Sequence, residues 1–179
     1  MLKRSNNLLH IATIGKVVGL KGDMKLHIQS DFPEQFKKGV SFPVDENETL
    51  TISEVNHERG LVKFVGYTSP QDAKKLTNKK LYTTIERTRK ECRLNEGEYF
   101  WFDIEGCVVV EDGKVLGIVE EIDRIAETNY LNVITDEILL KEGYSKSFLI
   151  PFKKPFKVDI DIKEKVIRVN GAIDILEAS

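Results

Sequence analysis

The sequence predicts an all-β protein built of two small β-barrels in tandem, joined by a polar linker. Three observations carry this prediction. Short strand patterns recur along most of the chain, long helical patterns are few, and a polar stretch without periodicity, residues 86–97, divides the chain. The chain has 179 residues, so each half can still bury a modest core.

Alternating side chains identify strands in the first half. Met24–Gln29 alternates apolar with polar residues, as expected of a strand that is buried on one face. β-Branched and apolar runs predict three further strands: Leu9–Val18, Thr49–Val55 and Leu61–Val65.

A short helix is predicted to begin after Ser69. Ser69 can accept hydrogen bonds from free amides of the first turn, Pro70 suits the first helical position, and Asp72 favours the positive end of the helix dipole. A second short helix is predicted at 33–36, ending before Gly39.

Strand patterns resume after the linker. We interpret Trp101–Val110 as a strand broken at Gly106, and Glu111–Gly113 as the turn of a hairpin that continues into Val115–Ile122. Further strands are predicted at Tyr130–Thr135, Phe148–Pro151 and Val166–Val169.

The net charge changes sign along the chain. Residues 1–90 hold 16 Lys and Arg against 10 Asp and Glu, a net of +6, whereas residues 91–179 hold 11 against 19, a net of −8. A basic half suits a polyphosphate backbone and an acidic half suits a basic partner. Chance drift of surface charge is the alternative for either half.

The residues that enzymes need are not grouped in the sequence. The three histidines lack metal-ligand spacing, and there is no nucleophile elbow, phosphate loop or dinucleotide fingerprint. Cys92 and Cys107 are too few for a disulfide framework or a zinc site. We therefore expect a binding protein without cofactor or metal, although a catalytic pair that meets only in space stays open.

Neither a signal peptide nor a bilayer-spanning run is recognisable. His10 and the pair Asn6-Asn7 interrupt the apolar N-terminal stretch, and the longest apolar runs are only strand-length. We therefore expect a cytoplasmic protein with no membrane partner.

Lysines mark candidate contacts with RNA in the first half. Lys21 lies at the tip of a Gly19-Leu20-Lys21-Gly22 loop that joins two strands, so Lys21 and Gly22 are possible RNA-facing residues. Lys74 and Lys75, on the predicted helix, are two more. The alternatives are a hairpin loop that uses glycine only for its backbone, and a helix face that is simply solvated.

Four consecutive aromatic residues, Tyr99 to Phe102, form the most unusual string. On a strand, successive side chains point to opposite faces, so one or two rings must be exposed or covered by a partner. Such rings often lie at the centre of binding sites, but internal burial is an equal alternative.

At this string the chain resembles the RimM family. Residues 98–106, EYFWFDIEG, are similar to the signature that opens the second domain of that family. Further motifs follow in the family's order: Gly117–Val119, Asn129–Val133, Leu149–Phe152, Val158–Ile160 and Lys165–Val169. In the first half, Ile14–Leu26 resembles the family's opening strand, loop and strand, and Asp72–Leu76 resembles its D-A-x-x-L helix.

The chain departs from the family pattern at three places. Val18 stands where the family often has histidine, Phe100 replaces the second of two tyrosines, and residues 138–147 look irregular. The first two departures remove polar groups but leave the order and spacing of the motifs intact.

The resemblance implies a translation-factor-like barrel at residues 1–88, a linker at 89–97 and a PRC barrel at 98–179. It implies a monomeric ribosome maturation factor that binds the immature small subunit with its 16S rRNA, and small-subunit ribosomal protein nineteen. Tyr99 and Phe100 would be the ribosome-binding rings, with Trp101 and Asp103 bracing them.

Two rival functions remain at this point. One is a PRC-barrel adaptor that acts on protein partners away from ribosomes. The other is an RNA-modifying enzyme, which the missing cofactor motif disfavours.

Overall fold

The computed structural model describes residues 7–45 and 48–179 of the chain. It divides into two compact units, Met1–Arg93 and Leu94–Ser179. The N-terminal stretch Met1–Asn6, for which the sequence predicts no signal peptide, lies outside the described residues. Among the residues that are described, no helix has the length and apolar character needed to cross a bilayer.

The first unit is a single antiparallel sheet that nearly closes on itself. Its strand order is β3-β4-β5-β2-β1-β6, and the two edge strands β3 and β6 lie against each other. The strands are β1 Leu8–Val18, β2 Asp23–Ile28, β3 Ser41–Asp45, β4 Glu48–Asn56, β5 Leu61–Phe64 and β6 Lys80–Thr84.

Alternation along the strands explains the first core. In β2, Met24 and Leu26 are buried while Lys25 and His27 are exposed, which confirms the predicted half-buried strand. The inward residues of the sheet surround a cluster that includes fully buried aromatic rings: Phe36, Phe42 and Phe64.

The helix predicted after Ser69 is present as α1, Pro70–Lys74. Ser69 Oγ accepts a hydrogen bond from the Asp72 amide at 3.1 Å, and Pro70 is the first helical residue. The helix predicted at 33–36 is a short 3-10 helix, Pro33–Gln35.

The polar stretch 86–97 begins as a helix, which the sequence did not indicate. This helix, α2, spans Ile85–Glu91. Thr84 Oγ1 accepts from the Arg87 amide at 3.1 Å, and Arg87 Nε donates to Glu91 at 3.0 Å one turn later. Capping and an i,i+4 ion pair thus stabilise a helix that has no apolar periodicity.

The second unit contains the other six-stranded sheet, in the order β10-β9-β8-β7-β12-β11. Its neighbours pair antiparallel except β7 and β12, which are parallel. The strands are β7 Val108–Glu111, β8 Lys114–Ile125, β9 Thr128–Thr135, β10 Ser147–Pro151, β11 Lys157–Asp161 and β12 Val166–Val169. Together the two sheets confirm the predicted all-β fold class.

Three short helices complete the second unit. They are α3 Trp101–Ile104, α4 Glu137–Lys141 and α5 Ala172–Glu177. Helix α4 occupies the start of the stretch 138–147 that looked irregular in sequence, and Asp136 caps it by accepting from the Ile138 amide at 2.9 Å.

The strand predicted over Trp101–Val110 is wrong in its first half. Residues Trp101–Ile104 form a helical turn, closed by the Glu105 amide donating to the Trp101 carbonyl at 2.9 Å. Gly106 then takes φ of +78°, a left-handed conformation that ends the turn before β7 begins. Aromatic residues are enriched in strands, so the composition of this string favoured a strand although the segment forms a helical turn.

The hairpin predicted at Glu111–Gly113 is confirmed. Glu111 pairs with Lys114 across a two-residue turn in which Asp112 and Gly113 have φ of +49° and +80°. Two positive φ values are what a type I′ hairpin turn requires.

A buried carboxylate ties this hairpin to the last helix. Glu111 is 6% exposed, and its two oxygens accept from the amides of Gly171 and Ile173, the latter at 2.8 Å. Gly171 precedes α5 and has no side chain to cap it, so Glu111 serves as the cap from 60 residues away in sequence.

Replacing Glu111 with alanine should lower the free energy of unfolding of the second unit by about 2 kcal/mol, because two amides at a buried helix end lose their acceptor. Urea unfolding followed by fluorescence of Trp101, the single tryptophan, measures this. The exposed Glu120 on β8 is the control, and Glu120→Ala should shift stability by no more than about 0.5 kcal/mol. Equal midpoints for the two variants would show that the cap is unimportant.

Candidate nucleic-acid and protein-binding surfaces

The loop between β1 and β2 presents two side chains to solvent. Lys21 is exposed, as the sequence predicts, and Leu20 beside it is 88% exposed. Leu20 was not predicted from the sequence as a binding residue. The available signal was its position between two glycines in a loop that joins two strands, where a side chain cannot reach a core. The loop tip therefore offers an ammonium and an apolar side chain together.

Gly22 holds this loop against the chain segment that leads into α1. A Cβ at Gly22 would lie 2.6 Å from the Tyr67 carbonyl oxygen, and the residue has φ of +75°. Both features favour glycine here, and Gly22 itself is buried. Gly22, which stays a predicted RNA-facing position, therefore brings the loop close to the segment that precedes α1.

The two lysines at the C-terminal end of α1, Lys74 and the capping residue Lys75, differ in their surroundings. Lys75 donates to Asp72 Oδ1 at 2.7 Å, and this contact lowers the pKa of the Asp72 carboxyl and raises the pKa of the Lys75 ammonium. Lys74 is exposed and has no acidic partner among the described residues. Lys74 thus carries an uncompensated charge, while the charge of Lys75 is shared with its own helix.

The four aromatic rings do not alternate as on a strand. Tyr99 and Trp101 are half-buried at the margin of the second core, and Phe100 is only 8% exposed. The rings of Phe100 and Phe102 stack with centroids 5.0 Å apart and planes 10° apart. Phe100 precedes the helical turn and has an extended backbone, so the stacked pair joins one ring before the turn with one ring on it.

A lysine from β11 lies over the first of these rings. The Lys157 ammonium nitrogen is 5.1 Å from the centroid of Tyr99 and 4.9 Å from that of Phe152. Contact of a cation with two ring faces stabilises this arrangement and restrains Tyr99. Lys157 is 58 positions from Tyr99, so no local pattern in the sequence indicates the contact.

Hydrogen bonds hold both ends of the aromatic segment. Before it, Glu98 Oε2 accepts from the Asn95 amide at 2.8 Å, which lowers the pKa of the Glu98 carboxyl. After it, the Asp103 carbonyl oxygen accepts from Lys165 Nζ at 2.8 Å. The side chain of Asp103 is itself half-buried.

One histidine and both cysteines are buried or half-buried. His10 Nε2 lies 3.0 Å from both the Ala12 carbonyl oxygen and Thr13 Oγ1, and burial lowers the pKa of this imidazole. Cys92 and Cys107 are buried free thiols. Within residues 7–45 and 48–179, no three His, Cys, Asp or Glu side chains converge to hold a metal ion.

Two family models together match most of the chain. Residues 9–88 match the family model described as the RimM N-terminal domain, and residues 101–175 match the RimM PRC barrel domain. A ribosome maturation factor RimM from Sulfurimonas denitrificans is 76% identical over 179 residues, covering 100% of both chains. The chain belongs to the RimM family.

Other relatives carry the same name at lower identity. The ribosome maturation factor RimM of Nitratiruptor sp. is 52% identical over 171 residues, covering 96% of this chain and 98% of the relative. That of Sulfurovum sp. is 46% identical over 179 residues and covers 100% of both. The resemblance to RimM proteins in the sequence motifs is thereby confirmed.

A solved structure is also similar. It is a crystal structure from Pseudomonas aeruginosa, described as a 16S ribosomal RNA processing protein RimM, with 20% identity and coverage of 94% of this chain and 99% of that one. The TM-score is 0.38, too low to support any inference.

The charge asymmetry coincides with the two compact units of this RimM-family chain. Unit Met1–Arg93 holds 17 Lys and Arg against 11 Asp and Glu, a net of +6. Unit Leu94–Ser179 holds 10 against 18, a net of −8. Each compact unit therefore has its own electrostatic character.

Replacing Gly22 with alanine should lower the free energy of unfolding of the first unit by about 2 kcal/mol or more, since both the left-handed backbone and the close carbonyl resist a Cβ. Hydrogen exchange of the β1 and β2 amides measures this. Gly19 has a nearly identical φ of +73° but nothing within 4 Å of its Cβ position. Gly19→Ala should therefore cost only about 1 kcal/mol, and equal losses would mean that the approach to Tyr67 is not restrictive.

Proposed function

We propose that this protein acts in the cytoplasm as a monomeric, non-enzymatic factor that assists assembly of the head of the small ribosomal subunit and processing of its rRNA. The acidic second unit binds small-subunit ribosomal protein nineteen, and the basic first unit approaches rRNA phosphates of the immature subunit. The observation that carries the proposal is the net charge of +6 on one unit and −8 on the other. The maturation-factor names of the RimM relatives support it.

The first unit supplies cations on a structured support. Lys21 at the β1–β2 loop and Lys74 on α1 are exposed, and Gly22 keeps the loop close to the start of that helix. Lysines bind phosphates without reading sequence, which suits a factor that recognises an rRNA by its position. Lys75 contributes less because Asp72 is bound to it.

The second unit supplies an aromatic contact. Tyr99 is half-buried, so part of its ring is open to a partner, and Lys157 restrains it. Phe100 is almost fully buried and Trp101 packs against the core, so these two act mainly by holding the segment. A restrained ring loses little entropy on binding, which favours affinity.

Binding alone can produce maturation. A factor that has higher affinity for a correctly placed protein and rRNA pair than for misplaced ones shifts the population toward the correct fold, by the difference in its two binding free energies. No bond needs to be made or broken.

Replacing Tyr99 with alanine should weaken association with immature small subunits by about tenfold or more, because an anchoring ring is lost. Co-sedimentation of the full chain with immature subunits measures this. Phe100 is a poor target, since burial of its ring means that Phe100→Ala would also destabilise the unit.

Tyr144 supplies the matched control for Tyr99. It is a tyrosine half-buried at the margin of the same core. Tyr144→Ala should lower stability by a similar amount and leave co-sedimentation unchanged. If both variants sediment like wild type, Tyr99 is not the contact; if both lose binding equally, only stability matters.

Replacing Lys21 and Lys74 together with alanine should weaken rRNA binding and reduce the slope of log affinity against log salt by about 1 to 2, one ion pair per lysine. Titration of immature-subunit rRNA at several salt concentrations measures the slope. Lys146→Ala, an exposed lysine of the second unit, is the control and should keep the wild-type slope.

Binding of purified protein nineteen by the wild-type chain distinguishes this function from that of an adaptor away from ribosomes. We expect a complex with protein nineteen, and preferential pelleting with immature small subunits over mature ribosomes. Absence of both would favour the adaptor.

A further inference from the structure

A row of apolar side chains crosses the second sheet on one face. Register pairs Val166 of β12 with Val108 of β7, Val108 with Ile118 of β8, and Ile118 with Ile134 of β9. Directly paired residues point to the same side of a sheet. The row therefore runs continuously over four strands.

This face is the outer one. The neighbouring paired row, Ile167, Val109, Gly117 and Thr135, is buried throughout. In contrast, Ile118 is 50% exposed and Ile134 is 42% exposed. On an outward face these positions ordinarily carry polar residues, so two adjacent exposed isoleucines need a reason beyond folding.

Carboxylates border the row on one side. Glu120 and Glu121 follow Ile118 on β8, both exposed at a bulge in its pairing with β9. Glu105, which precedes β7, lies beside them, because the amide of the next residue, Gly106, donates to the Val119 carbonyl oxygen at 2.8 Å. Partial desolvation and then the nearby Glu121 raise the pKa of the Glu105 carboxyl, against the effect of Lys165. Mutual repulsion in this group would be relieved by an added cation.

The nearby lysine does not neutralise this border fully. Lys165 Nζ donates to the carbonyl oxygens of Asp103 and Glu105, at 2.8 and 3.3 Å, so it is held by the backbone. Glu105 thus interacts with both the Glu121 carboxylate and the Lys165 ammonium. Such a border repels RNA phosphates and attracts lysine and arginine side chains.

We propose that the outer face of the second sheet, centred on Ile118 and Ile134 and bordered by Glu105, Glu120 and Glu121, binds a basic segment of a protein partner. An apolar side chain of the segment covers the isoleucine pair while its lysines or arginines meet the carboxylates. This deepens the proposed function, on which it rests, by naming where the second unit holds a basic protein. It is a surface separate from the aromatic segment around Tyr99.

Affinity of the full chain for a short synthetic peptide in which lysine and valine alternate tests the surface directly. Ile118→Ser should weaken binding by about tenfold, the loss expected for one exposed apolar contact at an interface. Ile125 is the matched control: the same residue type, on the same strand, also 50% exposed, and roughly 20 Å away along β8. Ile125→Ser should bind like wild type.

The role of charge is tested separately with Glu121→Lys, which should also weaken binding of the lysine peptide by tenfold or more. Glu127→Lys, in the turn that follows β8, is the control and should bind like wild type. A peptide in which glutamate and valine alternate should not bind. Equal affinities of Ile118→Ser and Ile125→Ser, no binding of the lysine peptide by wild type, or preference for polyuridylate RNA would each overturn the proposal. So would self-association that Ile118→Ser abolishes, since a second copy would then be the occupant.

The same variants are then titrated with purified protein nineteen. If wild type binds it and Ile118→Ser binds equally well, the proposed function stands and this surface is wrong. If wild type fails to bind it while the lysine peptide binds through Ile118, the surface stands and the proposed partner is wrong. If Ile118→Ser loses binding of both the lysine peptide and protein nineteen, the result supports both the proposed function and this surface.

Discussion

The close pairing of β8 with β7 and β9 is the constraint on which the second unit depends. At Gly117 a Cβ would overlap the carbonyl oxygen of Ile134, so only glycine lets the two backbones approach this far. That approach sets the register, and the register decides that Val119 faces the core while Ile118 faces solvent. A slip of one residue would exchange the two faces, so the fold and the outer apolar row follow from the same contact.

Within each unit, the candidate contacts lie next to structure that restrains them. In the first unit, Gly22 holds the loop that carries Lys21 against the segment before α1. In the second, Lys157 covers the ring of Tyr99, and Lys165 fixes the backbone at the end of the same segment. Restraint of this kind lowers the entropy lost when a partner binds, which favours affinity.

Several titratable groups stabilise the fold through hydrogen bonds, and the charged residues together set the surface potential of each unit. Glu111 caps a helix, Asp72 closes a helical turn with Lys75, and His10 bonds to its own strand. All Lys, Arg, Asp and Glu residues together give one unit a net charge of +6 and the other −8. Membership of the RimM family and this segregation of charge are separate observations, and both support the function proposed above.

The sequence alone determined the features that depend on neighbours along the chain. Ser69 and Pro70 predicted α1, Asp112 and Gly113 predicted the β7–β8 turn, and ordered motifs predicted the family, because caps, turns and alternation need only a few adjacent residues. Tertiary structure alone decided that residues 101–104 turn as a helix, that Lys157 covers Tyr99, and that Ile118 and Ile134 meet on an outer face. Each of these depends on residues brought together from distant parts of the chain, whose register and packing local propensity does not specify.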